Sequence, residues 1–222
     1  MVTVSICVLN GGKSLNVIGN CDDFTPTKIV IDAGHGGYDG GAVAPDGSLE
    51  KDINLDVALK FKDLLIASGF DVIMTRDDDV GLDDKNAATV RNKKVTDMNN
   101  RLKVLKDNPD AIFISIHQNK FPNSNIKGAQ VFYNKKSEES EKLAASTQQQ
   151  LIKIVDNENS RKHKSSGAEY FLLEYSSNVG IIVECGFVSN EDELLKIKDE
   201  EYQKKIAIAL LSAIYSYLSL EQ

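Results

Sequence analysis

Cysteine is scarce, with three among 222 residues, and the spacing fits neither a zinc knuckle nor a C-x-x-C redox pair. Three cannot all pair. Cys7 and Cys21 could bridge in an oxidising compartment, whereas Cys185 lies inside an apolar run and reads as a small buried hydrophobe. No stretch approaches the roughly 18 consecutive apolar residues of a membrane-crossing helix, so a helical span is not expected. Positive charge is in the minority, 26 Lys and Arg against 33 Asp and Glu, for a net charge of -7 and no basic run. Phosphate binding wants a basic face, so a nucleic acid partner is excluded. Internal repeats and low-complexity tracts are absent, and histidine is as rare as cysteine, at three.

What is present describes one ordinary core: 41% hydrophobic and 27% charged residues over a length natural to a single domain. Residues 1–27 read as an N-terminal extension. Its first nine residues alternate Val2, Val4, Ile6 and Val8 with Thr3, Ser5 and Cys7 and lack a basic leader, which favours an edge strand over a signal peptide. Residues 28–220 read as a single domain. A buried strand is expected over 28–33, a Gly-rich loop over 34–49, and a helix over 50–68 with Ile53, Val57, Phe61 and Leu64 on one face and Gly69 as its stop. A strand at 70–75, a polar helical region at 84–106, and strands at 111–116 and 128–133 follow. A long helix at 137–155, a polar loop at 156–168, an apolar strand from Val179 to Val183 and an amphipathic helix at 199–219 carrying Ile206, Leu210, Ile214 and Leu218 complete the chain. Near-continuous Val and Ile runs belong to strands covered on both faces. The pattern predicts an α/β fold: a three-layer αβα arrangement with a mostly parallel twisted central sheet and helices on both faces.

Two of the three histidines close apolar runs. His35 follows Ile29 to Gly34, His117 follows Ala111 to Ile116, and Glu184 follows Gly180 to Val183, so three strands deliver them just beyond their carboxyl ends, where open α/β sheets bind ligands. Glu50 opens the first long helix, and the six glycines between Gly34 and Gly47 allow the chain to turn that helix start toward His35. Taken singly, each has a plainer reading: a histidine at a strand end is commonly just hydrogen-bonded, and Glu50 is an ordinary first-turn acid favoured by the helix dipole. Glu184 is harder to dismiss, because a carboxylate between Val183 and Cys185-Gly186-Phe187 is costly to bury unpaired. Together the four residues match a hydrolytic zinc site, in which three His or Glu ligands leave a position open for water. Rival motifs fail: a dinucleotide fingerprint needs glycine at 39, which is Asp, and a phosphate loop ending in Gly12-Lys13-Ser14 needs glycine at 7, which is Cys. Cys185 as a nucleophile lacks a histidine nearby in sequence. His163, within Arg161-Lys162-His163-Lys164, reads as a solvated loop residue.

The segments Ile29-Val30-Ile31-Asp32-Ala33-Gly34-His35-Gly36-Gly37, Leu49-Glu50-Lys51-Asp52, Ser115-Ile116-His117-Gln118-Asn119 and Val183-Glu184-Cys185-Gly186-Phe187-Val188-Ser189-Asn190 resemble the four signature blocks of the zinc N-acetylmuramoyl-L-alanine amidases, in order and separation. Within that family the chain is most similar to the spore-cortex and germination branch. The resemblance implies that His35, Glu50 and His117 hold Zn2+ and that Glu184 is the general acid/base in cleaving the amide between muramic acid and L-alanine. It implies action outside the cytoplasm on peptidoglycan, in the envelope or spore cortex. Two positions depart from the family pattern, Gln118 where a small residue is common and Cys185 where leucine is usual. No wall-binding module accompanies the catalytic blocks, so a regulatory or activating protein partner is expected. A catalytically silent binding relative and a zinc carboxypeptidase on stem peptides are the alternative readings.

Overall fold

The alternation of apolar runs with amphipathic segments resolves into eight strands, six α-helices and one π-helical segment (Leu151–Val155) among the described residues, which are 6–10, 13–17, 26–167 and 169–219 of a computed structural model. The strands are β1 (Ile6–Asn10), β2 (Lys13–Val17), β3 (Lys28–Ala33), β4 (Asp71–Met74), β5 (Ile112–Asn119), β6 (Gln130–Tyr133), β7 (Lys164–Ser165) and β8 (Gly180–Phe187). The helices are α1 (Glu50–Ala67), α2 (Val90–Lys106), α3 (Glu138–Gln150), α4 (Phe171–Tyr175), α5 (Glu191–Ile197) and α6 (Glu200–Leu218).

The central sheet runs β4-β3-β5-β8-β6-β7, with β4, β3, β5 and β8 mutually parallel and β6 antiparallel to β8. Alternate residues of each strand point to opposite faces. Ile29, Ile31, Ile114, Ile116, Ile181 and Val183 pack with Val57, Phe61, Leu143, Leu210 and Ile214 of α1, α3 and α6 on one side. On the other, Val30, Phe113 and Ile182 meet Leu102 and Leu105 of α2 and Leu172 and Leu173 of α4. The result is the three-layer αβα arrangement, and each fully buried aliphatic or aromatic side chain contributes about 1.5–3 kcal/mol to it.

Helix ends follow local chemistry. Gly69, at φ 86°, takes the left-handed turn that ends α1. Thr89, Ser137, Asn190 and Asp199 cap α2, α3, α5 and α6 by accepting a backbone N–H from the first turn. The Thr89 cap corrects the expected start of the polar helix at 84: residues 84–89 are loop, and α2 begins at Val90. The buried stripe of α1 uses Leu65 in place of Leu64, which is only partly buried.

In the N-terminal segment β1 pairs with β2 in a two-stranded sheet separate from the central one. Two further expectations are corrected. The segment 156–168 contains β7, parallel to β6, so it is not wholly loop. Strands β5 and β8 continue past the apolar runs, which places His117 and Glu184 inside them and not after their ends. Polar residues can extend these strands because ladder pairing continues, with His117 opposite Glu184 and an irregularity between His117 and Asn119. Cys21 lies outside the described residues. Cys185 is a buried free thiol, as its apolar setting predicts.

Candidate metal and catalytic site

The site grows from the turn after β3. His35 has φ 63°, the only left-handed backbone among the described non-glycine residues. Such a conformation costs of order 1–3 kcal/mol and persists where surrounding contacts enforce it. Glycines let the loop close over the cluster: a β-carbon on Gly34 would fall on the His117 ring, and one on Gly41 (φ 67°) would lie 2.6 Å from Glu50 Oε2 and 2.7 Å from His35 Cδ2.

Glu50, at the first position of α1, sits between the two imidazoles. Its Oε1 is 3.0 Å from His117 Nδ1 and accepts from Gln118 N (3.1 Å) and Asn54 Nδ2 (3.3 Å). Its Oε2 accepts from Ala42 N at 2.8 Å and is 3.3 Å from His35 Nε2. One ligand atom from each of His35, Glu50 and His117 lies within 4.8 Å of the others, a grouping able to hold a metal ion. Asp39 Oδ2, 3.1 Å from His35 Nδ1, orients the ring so that Nε2 faces the cluster.

Electrostatics at the metal-free cluster favour charged ligands. Burial pulls the His35 imidazole down, but hydrogen bonds and charge from Asp39 and Glu50 outweigh it and raise it to about 9. Burial pushes Glu50 up, and the two histidines overcome this and hold it far below the usual carboxylate range. Protons therefore compete with a dication for the His35 imidazole.

Glu184 behaves oppositely. It is 9% exposed, and its Oε2 has no hydrogen-bond partner among the described residues. Burial first, and then the charge of Glu50, push its carboxyl up to about 7 against the opposing histidines. A buried carboxyl that titrates near neutrality and keeps a free oxygen can carry a proton. Glu184, His35 and His117 share a cleft of about 260 Å³, walled by Asp97 and Met98 of α2 and by Tyr170 and Phe171 around α4.

The four residues singled out by sequence come together, and His163 is elsewhere, against Tyr133 and Glu141. The two family departures touch a common network. Gln118 is buried and donates from Nε2 to Asn54 Oδ1 at 3.3 Å, and it also lies beside the Cys185 thiol, whose pKa burial raises. Sequence reasoning missed the supporting residues. Asp39 and Asn54 could have been found, each four positions from a ligand on a turn or helix face. Asp32, Arg76 and Arg101 carried no such signal. Asp32 accepts from Arg101 Nη1 at 2.6 Å, Ser115 Oγ at 2.6 Å and Thr75 Oγ1 at 2.8 Å, and the guanidinium is 69 residues away along the chain.

The chain has relatives among known proteins in sequence and fold. Residues 29–216 match the family model described as N-acetylmuramoyl-L-alanine amidase. The germination-specific N-acetylmuramoyl-L-alanine amidase of Bacillus subtilis is 35% identical over 191 residues, covering 86% of this chain and 79% of the relative. The structure of the CwlD amidase of Clostridioides difficile, in complex with the GerS lipoprotein, is 40% identical, superposes with a TM-score of 0.84, and is covered to 99% by 87% of this chain. An N-acetylmuramoyl-L-alanine amidase from Clostridium difficile 630 shares 26% identity at a TM-score of 0.76, over 87% of this chain and 97% of that one. With nearly the whole αβα domain matched and an ionisable cleft at the carboxyl end of its sheet, the chain belongs to the N-acetylmuramoyl-L-alanine amidase family.

Proposed function

We propose that this protein is a zinc-dependent amidase that cleaves the bond between N-acetylmuramic acid and L-alanine in spore-cortex peptidoglycan, with His35, Glu50 and His117 as metal ligands and Glu184 as the general acid/base. Family membership and the germination-specific relative support the reaction and its setting. The observation that carries the mechanism is the orphaned, raised carboxyl of Glu184 beside a two-imidazole, one-carboxylate cluster. That donor set suits zinc, and the cradle left by Gly34 and Gly41 keeps side chains out of it.

Zinc held there supplies Lewis acidity toward the scissile carbonyl and lowers the pKa of water. Glu184, in its carboxylate form, takes a proton from the attacking water at its free Oε2. It then returns that proton to the nitrogen of L-alanine as the amide breaks, so the leaving group departs as an amine. Asp39 holds His35 by Nδ1, and Asn54 with the Gln118 amide holds Glu50, so the ligand atoms are aimed before metal arrives. Burial of Glu184 beside the strand core keeps its carboxyl pKa high.

We further infer action outside the cytoplasm and a protein partner, supported by the CwlD relative solved in complex with a lipoprotein. Among the described residues no helix is long and apolar enough to cross a membrane.

The test is zinc per chain by elemental analysis together with release of new L-alanine amino termini from purified peptidoglycan, for the parent and Glu184→Gln. Zinc in both and release only by the parent is the expected result. Release of C-terminal amino acids instead would make the protein a carboxypeptidase.

A further inference from the structure

His35 adopts an unfavourable backbone conformation, and one buried cation stands behind it. Arg101, on α2, is 2% exposed and spends every nitrogen on fixed partners. Its Nη2 donates to the His35 carbonyl at 2.6 Å, and Nη1 donates to Asp32 Oδ1 at 2.6 Å and to the Ala33 carbonyl at 3.0 Å. Its Nε donates to Asp97 Oδ2 at 2.7 Å. Asp32 is itself held by Ser115 and Thr75, so the guanidinium cannot swing. Arg76 closes the other side of the same turn, donating from Nε to the Ala33 carbonyl and from Nη2 to the carbonyls of Gly34 and Lys51.

We propose that Arg101 is a positioning residue for the metal-binding turn, fixing the left-handed backbone of His35 through its carbonyl and thereby the placement of the imidazole. The inference rests on the metal reading given above. A charge-assisted bond to a carbonyl is strong and directional, and the planar fork serves four acceptors at once. Lysine offers the same charge without the fork. The ligand conformation thus depends on a helix that also walls the cleft through Asp97 and Met98.

The test compares Arg101→Lys with the parent for zinc affinity, by competition with a chromophoric chelator, and for the melting temperature of the metal-free chain. Arg101→Lys keeps a cation opposite Asp32, so the fold should survive while zinc affinity falls at least tenfold, the scale expected when a ligand-orienting group is lost. Leu143→Ala, a cavity in α3, separates positioning from general destabilisation: it should lower the melting temperature and leave zinc affinity unchanged. Equal affinity in Arg101→Lys and parent, or an equal fall in Leu143→Ala, overturns the proposal. Should Arg101→Lys fail to fold, Asp97→Asn retains the pair with Asp32 and loosens the guanidinium at Nε. A threefold or greater loss of affinity there supports the proposal, and no loss overturns it. A parent that binds no zinc overturns the metal reading, and this inference with it; a zinc-binding parent with an equal variant overturns the inference alone.

Discussion

His117 and Glu184 are register partners across the parallel pairing of β5 with β8, so a candidate metal ligand and the candidate proton carrier are set side by side by backbone hydrogen bonds alone. The spacing between them is a property of the sheet ladder.

Glu184 should therefore control the pH dependence of turnover. The base form accepts the proton, and its carboxyl stands at about 7 before any metal enters. A dication nearby favours the carboxylate and moves the midpoint lower. We expect kcat/KM to rise with pH through a midpoint at or below about 7. In Glu184→Gln that limb should vanish with a loss of roughly 100- to 10,000-fold in rate. A pH-rate profile on soluble muropeptide checks this, and a rate that falls from pH 5 to 7 refutes it.

Gly34 faces the ring of His117, and no β-carbon fits between them. Gly34→Ala must displace either the imidazole or the turn after β3. Zinc affinity should fall by at least about tenfold, measurable by chelator competition, while circular dichroism of the metal-free chain stays that of the parent. Unchanged affinity would mean that the turn yields without cost.

The buried pair of Asp32 and Arg101 makes stability depend on acid. Burial pushes the Asp32 carboxyl up, but the Arg101 charge, with Ser115, His117 and Thr75, outweighs it and lowers it from 3.8 to about 2. The folded pKa lies below the unfolded one, so the stabilisation is fully present above about pH 4 and is lost as pH falls through about 2. Two pKa units correspond to about 2–3 kcal/mol. Urea midpoints at pH 6, 4 and 2.5 should show that decline in the parent. Asp32→Asn should be less stable by about 3–5 kcal/mol at pH 6, because it removes one of the two carboxylates paired with the buried Arg101 guanidinium, and flatter toward acid. Parallel curves would remove Asp32 from the acid transition.

Strands β3, β4, β5, β6 and β8, the long helices α1, α2, α3 and α6, and the four candidate site residues were legible in the linear order of residues, whereas β2, β7 and the short helices α4 and α5 were not. An apolar run ending in His or Glu places its last side chain at the carboxyl end of a sheet strand whatever the rest of the chain does, because pleating and burial act over a few residues. The start of α2 was misread because polar composition over 84–106 says nothing of where the Thr89 cap falls, and β5 and β8 were read too short because ladder pairing carries polar residues that hydropathy omits. Gln118 and Cys185 stood out as departures, yet their shared environment with Asn54 appears only once β5 lies against β8. Tertiary structure alone decided that Arg101 reaches 66 residues back to the His35 carbonyl, and that Asp32, hidden in an apolar strand, anchors it. Local patterning carries no information about such pairs, since a buried charge chooses its partner by distance in three dimensions and not by separation along the chain.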